Sequence, residues 1–348
     1  MAASSERGKI LVRGSINIDE FFEVDHIVRT GETISSTEYS RRAGGKGANQ
    51  AVSAAKAGAI VELAATLGND GAWLKDTLAS YGVSQSLLST DETVPTGRAI
   101  IQLSKATADN SIVLLPGSNY SSQTCPLSLL SARDLASSNF THLLLQNEIP
   151  LDSTKAALKV AHQAGIETVL NPSPMLTLDQ LESFEWDHLD WLLINEGEGQ
   201  DLVSALSSPS PPSSSPTSTS ASATLKAEEI LVRLRETKLN RLKGIVMTRG
   251  PDGVMAGLRG GKVVSAPAGN VQGGVKDTTG AGDCFTGTRT KDDLIEAHKL
   301  EQVLKISCQA AAMCCENHGA MESVPTLRQV RERFGTDWLE GQEWDVLL

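Results

Sequence analysis

THLLLQNEIPLDSTKAALKVAHQAGIETVLN, at residues 141–171, holds two strands and the helix between them. Thr141–Leu145 is a short apolar run without alternation. From Asp152 to Gly165, Ala156, Ala157, Val160, Ala161 and Ala164 share one helical face. Glu167–Leu170 is a second strand candidate. Further along, Leu192–Asn195, a polar helix and Gly244–Thr248 repeat the alternation. Towards the N-terminus, Lys9–Ile16 and Val61–Leu67 are apolar strands separated by the Ala-rich, helix-competent Ala48–Gly58. Strands alternating with helices at this spacing predict an α/β protein with a mostly parallel sheet. Such strands are buried between two helix layers, which is why their runs do not alternate. Thr96–Leu103 and Ser111–Leu115 read instead as a strand pair joined by a polar turn.

Composition narrows the function classes. The 348 residues suit one large domain with a smaller attachment, or two domains. A formal net charge of −11 argues against nucleic acid and anionic membrane as partners, because both need a basic surface. The N-terminal MAASSERGK lacks a signal-peptide core, and no stretch approaches the roughly 18 apolar residues of a membrane helix. Five cysteines without a CxxC or a zinc-spaced histidine read as reduced thiols. The expected location is the cytoplasm, with the nucleus second. Ser207–Thr224, SSPSPPSSSPTSTSASAT, cannot bury enough apolar surface to offset its ordering entropy, and reads as a disordered insertion between two helices.

Three polar clusters carry candidate chemistry. Asp277–Asp283, DTTGAGD, places two glycines and three small residues between two acids, with a helix starting near Gly280–Asp283. Backbone N–H groups at a helix N-terminus can cradle a phosphate, and Asp283 directly after them could serve as a base. An ordinary helix cap at Asp283 is the other reading. The P-loop pattern G-x-x-x-x-G-K-[ST] is missing, and GAGDCF is not a dinucleotide fingerprint. Gly44–Gln50, GGKGANQ, runs into the Ala-rich helix; it suits close approach of a ligand, with Asn49 as donor and acceptor for a hydroxyl, or is a plain loop. Asn17 and Asp19 in Gly14–Asp19, GSINID, close an apolar strand at the end where open α/β sheets bind ligands, or form a simple Asx turn.

Taken in order, GSINID, GGKGANQA and DTTGAGD resemble the ribokinase branch of the ribokinase/PfkB carbohydrate kinases. LLLQNE (Leu143–Glu148), LNPSP (Leu170–Pro174), INEGE (Ile194–Glu198) and MTRGPDGV (Met247–Val254) extend the likeness over nearly the whole chain. The resemblance implies a single doubly wound α/β domain spanning 1–348, with a small β-sheet lid from about 20–40 and 96–115. It implies an ATP-dependent sugar kinase phosphorylating the primary hydroxyl of ribose. Another kinase of the scaffold (fructokinase, deoxyribokinase, nucleoside kinase) or an impaired sugar or nucleotide binder are the alternatives. It implies Mg²⁺, an activating K⁺ and a homodimer packed lid to lid.

By the same resemblance, Asn17, Asp19, Gly45, Lys46, Gly47, Asn49 and Glu148 hold the sugar. Asp283 is the base, and Gly280, Ala281 and Gly282 form the anion hole. Asn195, Thr248, Gly250, Gly253 and Gly282 meet ATP, and Glu198 serves Mg²⁺. Asp277, Thr279, Cys314, Asn317, Gly319 and Ser323 form the K⁺ site. Two segments depart from the family. Thr286–Asp293, TGTRTKDD, has no large apolar residue where a helix should pack behind the anion hole, which predicts weak burial there. Cys308 and Gln309 stand where the family often places an asparagine near the adenine.

Overall fold

The computed structural model describes residues 8–107, 109–121, 132–207, 225–288 and 297–334. In chain order, β1 (Lys9–Arg13), β2 (Asn17–Val24) and β3 (Glu38–Gly44) precede α1 (Lys46–Lys56). β4 (Ile60–Gly68) leads through α2 (Ala72–Ser80) to β5 (Val83–Ser84), β6 (Leu88–Asp91), β7 (Gly97–Ser104) and β8 (Asn110–Leu115). Next come α3 (Ala132–Ser137), β9 (His142–Gln146), α4 (Leu151–Gln163), β10 (Glu167–Asn171), α5 (Leu178–Glu182), β11 (Trp191–Asn195) and α6 (Glu196–Leu206). The chain continues with α7 (Ala227–Arg235), β12 (Gly244–Thr248), β13 (Val254–Leu258), β14 (Val263–Ala266), α8 (Ala281–Thr288), α9 (Ala297–Cys314) and α10 (Leu327–Phe334).

The large sheet runs β14-β13-β12-β11-β10-β9-β1-β4-β5, with β6 paired to β4. Every pairing from β12 to β5 is parallel, and only β13 and β14 join antiparallel. Successive side chains of its strands enter different cores. Ile10 and Val12 belong to one hydrophobic cluster, with Leu144, Trp191 and Leu193; Leu11, Leu143, Leu145, Leu192 and Ile194 belong to another. Period-two alternation thus feeds two apolar faces, so the strand runs look uniformly hydrophobic. The first core takes in α1 residues such as Ala48, Ala51 and Val52, and the second takes in Ala157, Leu202 and Ile230 from α4, α6 and α7. The fold is the expected doubly wound α/β sheet with a smaller sheet attached.

That smaller sheet runs β3-β2-β7-β8. β2 pairs antiparallel with β3 and parallel with β7, and β7 pairs antiparallel with β8 from Arg98↔Leu115 to Leu103↔Asn110. One sequence expectation is corrected here. Asn17 and Asp19 do not end the first strand; β1 stops at Arg13, and both residues lie in β2 of the smaller sheet. The chain turns through Gly14, Ser15 and Ile16, where a Cβ on Gly14 would lie 2.8 Å from the Gly47 Cα.

The Ser/Pro tract at 208–224 lies outside the described residues; α6 and α7 flank it. The polar segment behind the expected anion hole is described only to Thr288, and 289–293 lies outside. Up to that point the expectation of weak burial fails: Thr286 and Gly287 are buried, Gly287 against Ser53 of α1, and Ser53 Oγ sits 3.3 Å from Thr288 Oγ1. Small residues pack this end of the helix against α1, while Cys284 and Phe285 enter hydrophobic clusters.

Candidate active site

Parallel strands leave backbone and side chains exposed at their carboxyl ends, and the crevice opens where strand order reverses. Here the reversal is at β1, which has β4 on one side and β9 on the other. Ser15 follows β1, Glu148 follows β9, Asn171 and Asn195 end β10 and β11, and Thr248 ends β12. Ser15 Oγ donates to Glu148 Oε2 at 2.6 Å, and the Lys46 N–H donates to the same oxygen at 2.9 Å. Glu148 therefore ties the β1 turn to the start of α1.

Asp283 lies in the first turn of α8 and is 6% exposed. Its carboxylate receives Asn49 Nδ2 at 3.1 Å and Gln50 Nε2 at 2.8 Å, both from α1, with Lys46 Nζ 3.9 Å away. An ordinary N-cap would instead accept a backbone N–H of its own helix. The capping alternative is thus not what its side chain does. Gln50 and Gln146 are fully buried, and Gln146 Nε2 donates to Gln50 Oε1 at 2.6 Å. Gln50 Nε2 also reaches Asn171 Oδ1 at 3.2 Å. This amide relay fixes Gln50, which fixes Asp283.

Asn17 and Asp19 reach the same crevice from the smaller sheet. Asn17 Oδ1 accepts from Asn119 Nδ2 at 2.7 Å, and Asn119 Oδ1 accepts the Ile16 N–H at 2.9 Å. Burial first, and then the charges of Glu148, Asp283 and Glu322, push the Asp19 carboxyl up to about 7. The Asp283 charge, helped by Glu148 and Glu198 and opposed by burial, raises Lys46. Five acidic groups, Asp19, Glu148, Glu198, Asp283 and Glu322, thus act on one another or on the Lys46 ammonium here. Sequence reading found Asn17, Asp19, Lys46, Asn49, Glu148 and Asp283, and passed over Asn119, Gln50, Gln146 and Asn171. Gln50, Gln146 and Asn171 lie inside quoted motifs, and that was their only signal.

Two cavities meet at this point. A small polar one of about 90 Å³ is lined by Lys46, Asn171, Asn195, Glu198, Thr248 and Asp283 among others. An apolar cleft of about 550 Å³ is lined by Gly250, Gly253, Val275, Cys308, Ala312 and others. Thr248, Gly282 and Phe285 border both. Asn195 and Glu198 form a reciprocal capping box on α6, with Glu198 N donating to Asn195 Oδ1 at 2.8 Å and Asn195 N to Glu198 Oε2 at 2.9 Å. Cys308 borders the cleft, and burial pushes its thiol up to about 12. Gln309 faces elsewhere: its amide bonds the Asn270 N–H and carbonyl, both at 3.0 Å.

Gly280 adopts φ +79, and a Cβ there would lie 2.8 Å from the Ala320 Cα, so glycine is required. Of the three expected anion-hole N–H groups, that of Ala281 donates to the Thr278 carbonyl at 3.2 Å. Gly45 and Gly47 open α1 against the Gly14–Asn17 turn.

Behind the turn, Asp277 accepts the Thr279 and Gly319 N–H groups at 2.9 and 3.0 Å. Burial raises its carboxyl, but these bonds and His318 hold it below the ordinary value. Cys314 Sγ is 2.8 Å from Ser323 Oγ and 3.9 Å from the Thr279 carbonyl. Asp277, Thr279, Gly319, Ser323 and Cys314 are therefore brought together. Asn317 turns its amide to the Met313 carbonyl at 3.5 Å instead. The four cysteines among the described residues are unbridged; Cys125 lies outside them.

A family model for pfkB carbohydrate kinases matches residues 7–327. The chain belongs to the pfkB family of carbohydrate kinases. Among relatives of this pfkB-family kinase, a ribokinase from Haemophilus influenzae is 32% identical over 94% of this chain and 98% of its own length. The structure resembles ribokinase from Cryptococcus neoformans in complex with ADP, with TM-score 0.78, 43% identity, and 94% and 99% of the two chains covered. It also resembles Arabidopsis thaliana ribokinase complexed with ribose and ATP, with TM-score 0.76, 26% identity, and 94% and 99% covered.

Proposed function

We propose that this protein transfers the terminal phosphoryl group of ATP to the primary hydroxyl of D-ribose, giving D-ribose 5-phosphate and ADP. One observation carries the reading: Asp283, oriented by Asn49 and Gln50, lines the small polar cavity that borders the apolar cleft through Thr248, Gly282 and Phe285. Its carboxylate takes the hydroxyl proton as the sugar oxygen bonds to phosphorus and the bond to ADP breaks. Asn17, Asp19, Gly45, Lys46, Gly47, Asn49 and Glu148 bind the sugar hydroxyls, and Lys46 also offsets charge at Asp283. The Gly280 and Gly282 N–H groups receive the transferred phosphoryl group, and that of Ala281 joins them by giving up the Thr278 carbonyl. Thr248, Gly250 and Gly253 meet the nucleotide. The named ligands of the Cryptococcus and Arabidopsis ribokinases support this choice of substrates.

ATP is expected as its Mg²⁺ complex. Among the described residues no three His, Cys, Asp or Glu side chains gather as a metal cluster. That suits an ion held by phosphates, water and a single carboxylate such as Glu198. The oxygens of Asp277, Thr279 and Ser323 suit a hard monovalent cation, K⁺, whose charge would assist the anion hole. The soft thiol of Cys314 suits packing better than ligation. The smaller sheet acts as the lid of a single domain, and its exposed β8 as the homodimer contact. Unbridged thiols suit the cytoplasm.

A coupled ADP-release assay at fixed ATP, with ribose, 2-deoxyribose, fructose and adenosine, tests the substrate. Turnover with another of these and not with ribose would reassign it. Asp283→Asn is expected to lower kcat by at least ~10²-fold; near-normal turnover would remove Asp283 from the role of base.

A further inference from the structure

We infer that Lys56, at the far end of α1 from the sugar pocket, is the positioning residue of the cation loop, holding Gly319–Val324 in its binding shape. The inference rests on the proposed K⁺ site. Lys56 Nζ donates to the Met321 carbonyl at 2.9 Å and to the Val324 carbonyl at 2.8 Å. It also lies 4.6 Å from the centroid of the Tyr81 ring. These two carbonyls bracket Glu322 and Ser323. Fixing both peptide planes sets where Ser323 Oγ lies, 2.8 Å from Cys314 Sγ and 3.4 Å from the Ala320 carbonyl. The other end of the loop is fixed by the Gly319 N–H bond to Asp277 at 3.0 Å. Ala320 in turn packs against Gly280 backbone to backbone. A shift of the loop therefore reaches the anion hole directly. Charge-assisted bonds of this kind are stronger than neutral ones.

Two effects of Lys56 on a cation oppose each other. Its own positive charge repels the ion, whereas its grip on the carbonyls orders the ligands. If repulsion prevails, removing the ammonium tightens K⁺ binding; if ordering prevails, removal weakens it. Ordering prevails in this proposal, because two of the ammonium's donors are spent on the loop and its field is shared with Glu322.

The test compares the full-length parent with Lys56→Met in KCl and in choline chloride, reading melting temperature and the K⁺ dependence of ribose phosphorylation. The expected result is a K⁺ half-activation raised by about tenfold or more, with kcat recovering as K⁺ is raised. The extra melting temperature given by KCl over choline shrinks in parallel, and Lys56→Arg restores part of both. A merely structural lysine would lower the melting temperature equally in both salts. If the parent itself shows no response to K⁺, the cation site falls and this inference with it. If the parent responds and Lys56→Met responds equally or more tightly, this inference alone is overturned. Should Lys56→Met not fold, Tyr81→Leu, which loosens the ammonium without removing it, must show a smaller shift in the same direction.

Discussion

Asp19 is the acid that the crivice holds farthest from its ordinary behaviour. Its carboxyl is pushed from 3.8 to about 7 by burial and by the neighbouring Glu148, Asp283 and Glu322 charges. The folded protein therefore keeps a proton on Asp19 that the unfolded chain has lost, and stability falls as pH rises from about 4 to about 7. Above that window the cost is complete, at most about 4 kcal/mol. Asp19→Asn is expected to raise the melting temperature at pH 8 and to leave it nearly unchanged at pH 4, while weakening ribose binding. Equal gains at both pH values, measured by thermal denaturation in the same buffer series, would show that the cost of ionising Asp19 is not the cause. At this scale the site was half legible. Asn17, Asp19, Asn49 and Asp283 stand out beside glycines and short apolar runs. Gln50, Gln146, Asn119 and Asn171 do not, because a buried amide relay depends on partners far apart in sequence, 96 positions in the case of Gln146 and Gln50.

At the scale of elements, the apolar strands β1, β4 and β9–β12 were readable because both sheet faces are covered, so no alternation masks the runs. The β13–β14 hairpin was not read. Val254–Leu258 is VMAGL and Val263–Ala266 is VVSA, short segments whose place at the sheet edge depends on pairing with β12. The polar segment begins in α8, whose Thr286 and Gly287 are buried for a related reason. Its face towards α1 is built from small residues, so the two helices approach backbone to backbone. A Cβ on Gly287 would collide with the Gln50 carbonyl and lie 2.6 Å from Ser53 Cβ. Ser53 Oγ donates to the Cys284 carbonyl at 2.7 Å across the same contact. Gly287→Val must push α8 away from α1, and overpacking of this kind costs about 1–3 kcal/mol. Because Asn49 and Gln50 reach Asp283 across this interface, the same shift should lower kcat, by about a hundredfold if the misplacement nears ~1 Å. Urea denaturation and steady-state kinetics on the purified variant check both halves. A stable variant with unchanged kcat would mean that the helix contact does not set the Asp283 geometry.

For the whole molecule, the unanswered surface is the outer edge of the smaller sheet, the proposed lid. β8 closes the smaller sheet on one side. Ile112, Val113, Leu114 and Leu115 are 52%, 59%, 48% and 44% exposed. Consecutive residues of a strand point to opposite faces, so both faces of β8 are uncovered at once. Native edge strands usually carry charge or proline against unwanted pairing, and this run carries neither. A second copy packed lid to lid would cover the strand, and two-fold symmetry would place each substitution in the contact twice. Val113→Lys with Leu114→Lys should then convert a dimer to a monomer in sedimentation at micromolar concentration. Asp19 lies in β2, paired with β7, which is paired with β8, so loosening the edge reaches the sugar side through two strand pairings. The ribose KM should accordingly rise by about fivefold or more, while the ATP KM moves less because, among the described residues, none of the smaller sheet lines the apolar cleft. A parent protein that sediments as a monomer would remove the dimer. A monomeric variant with an unchanged ribose KM would instead keep the dimer and separate it from the working of the lid.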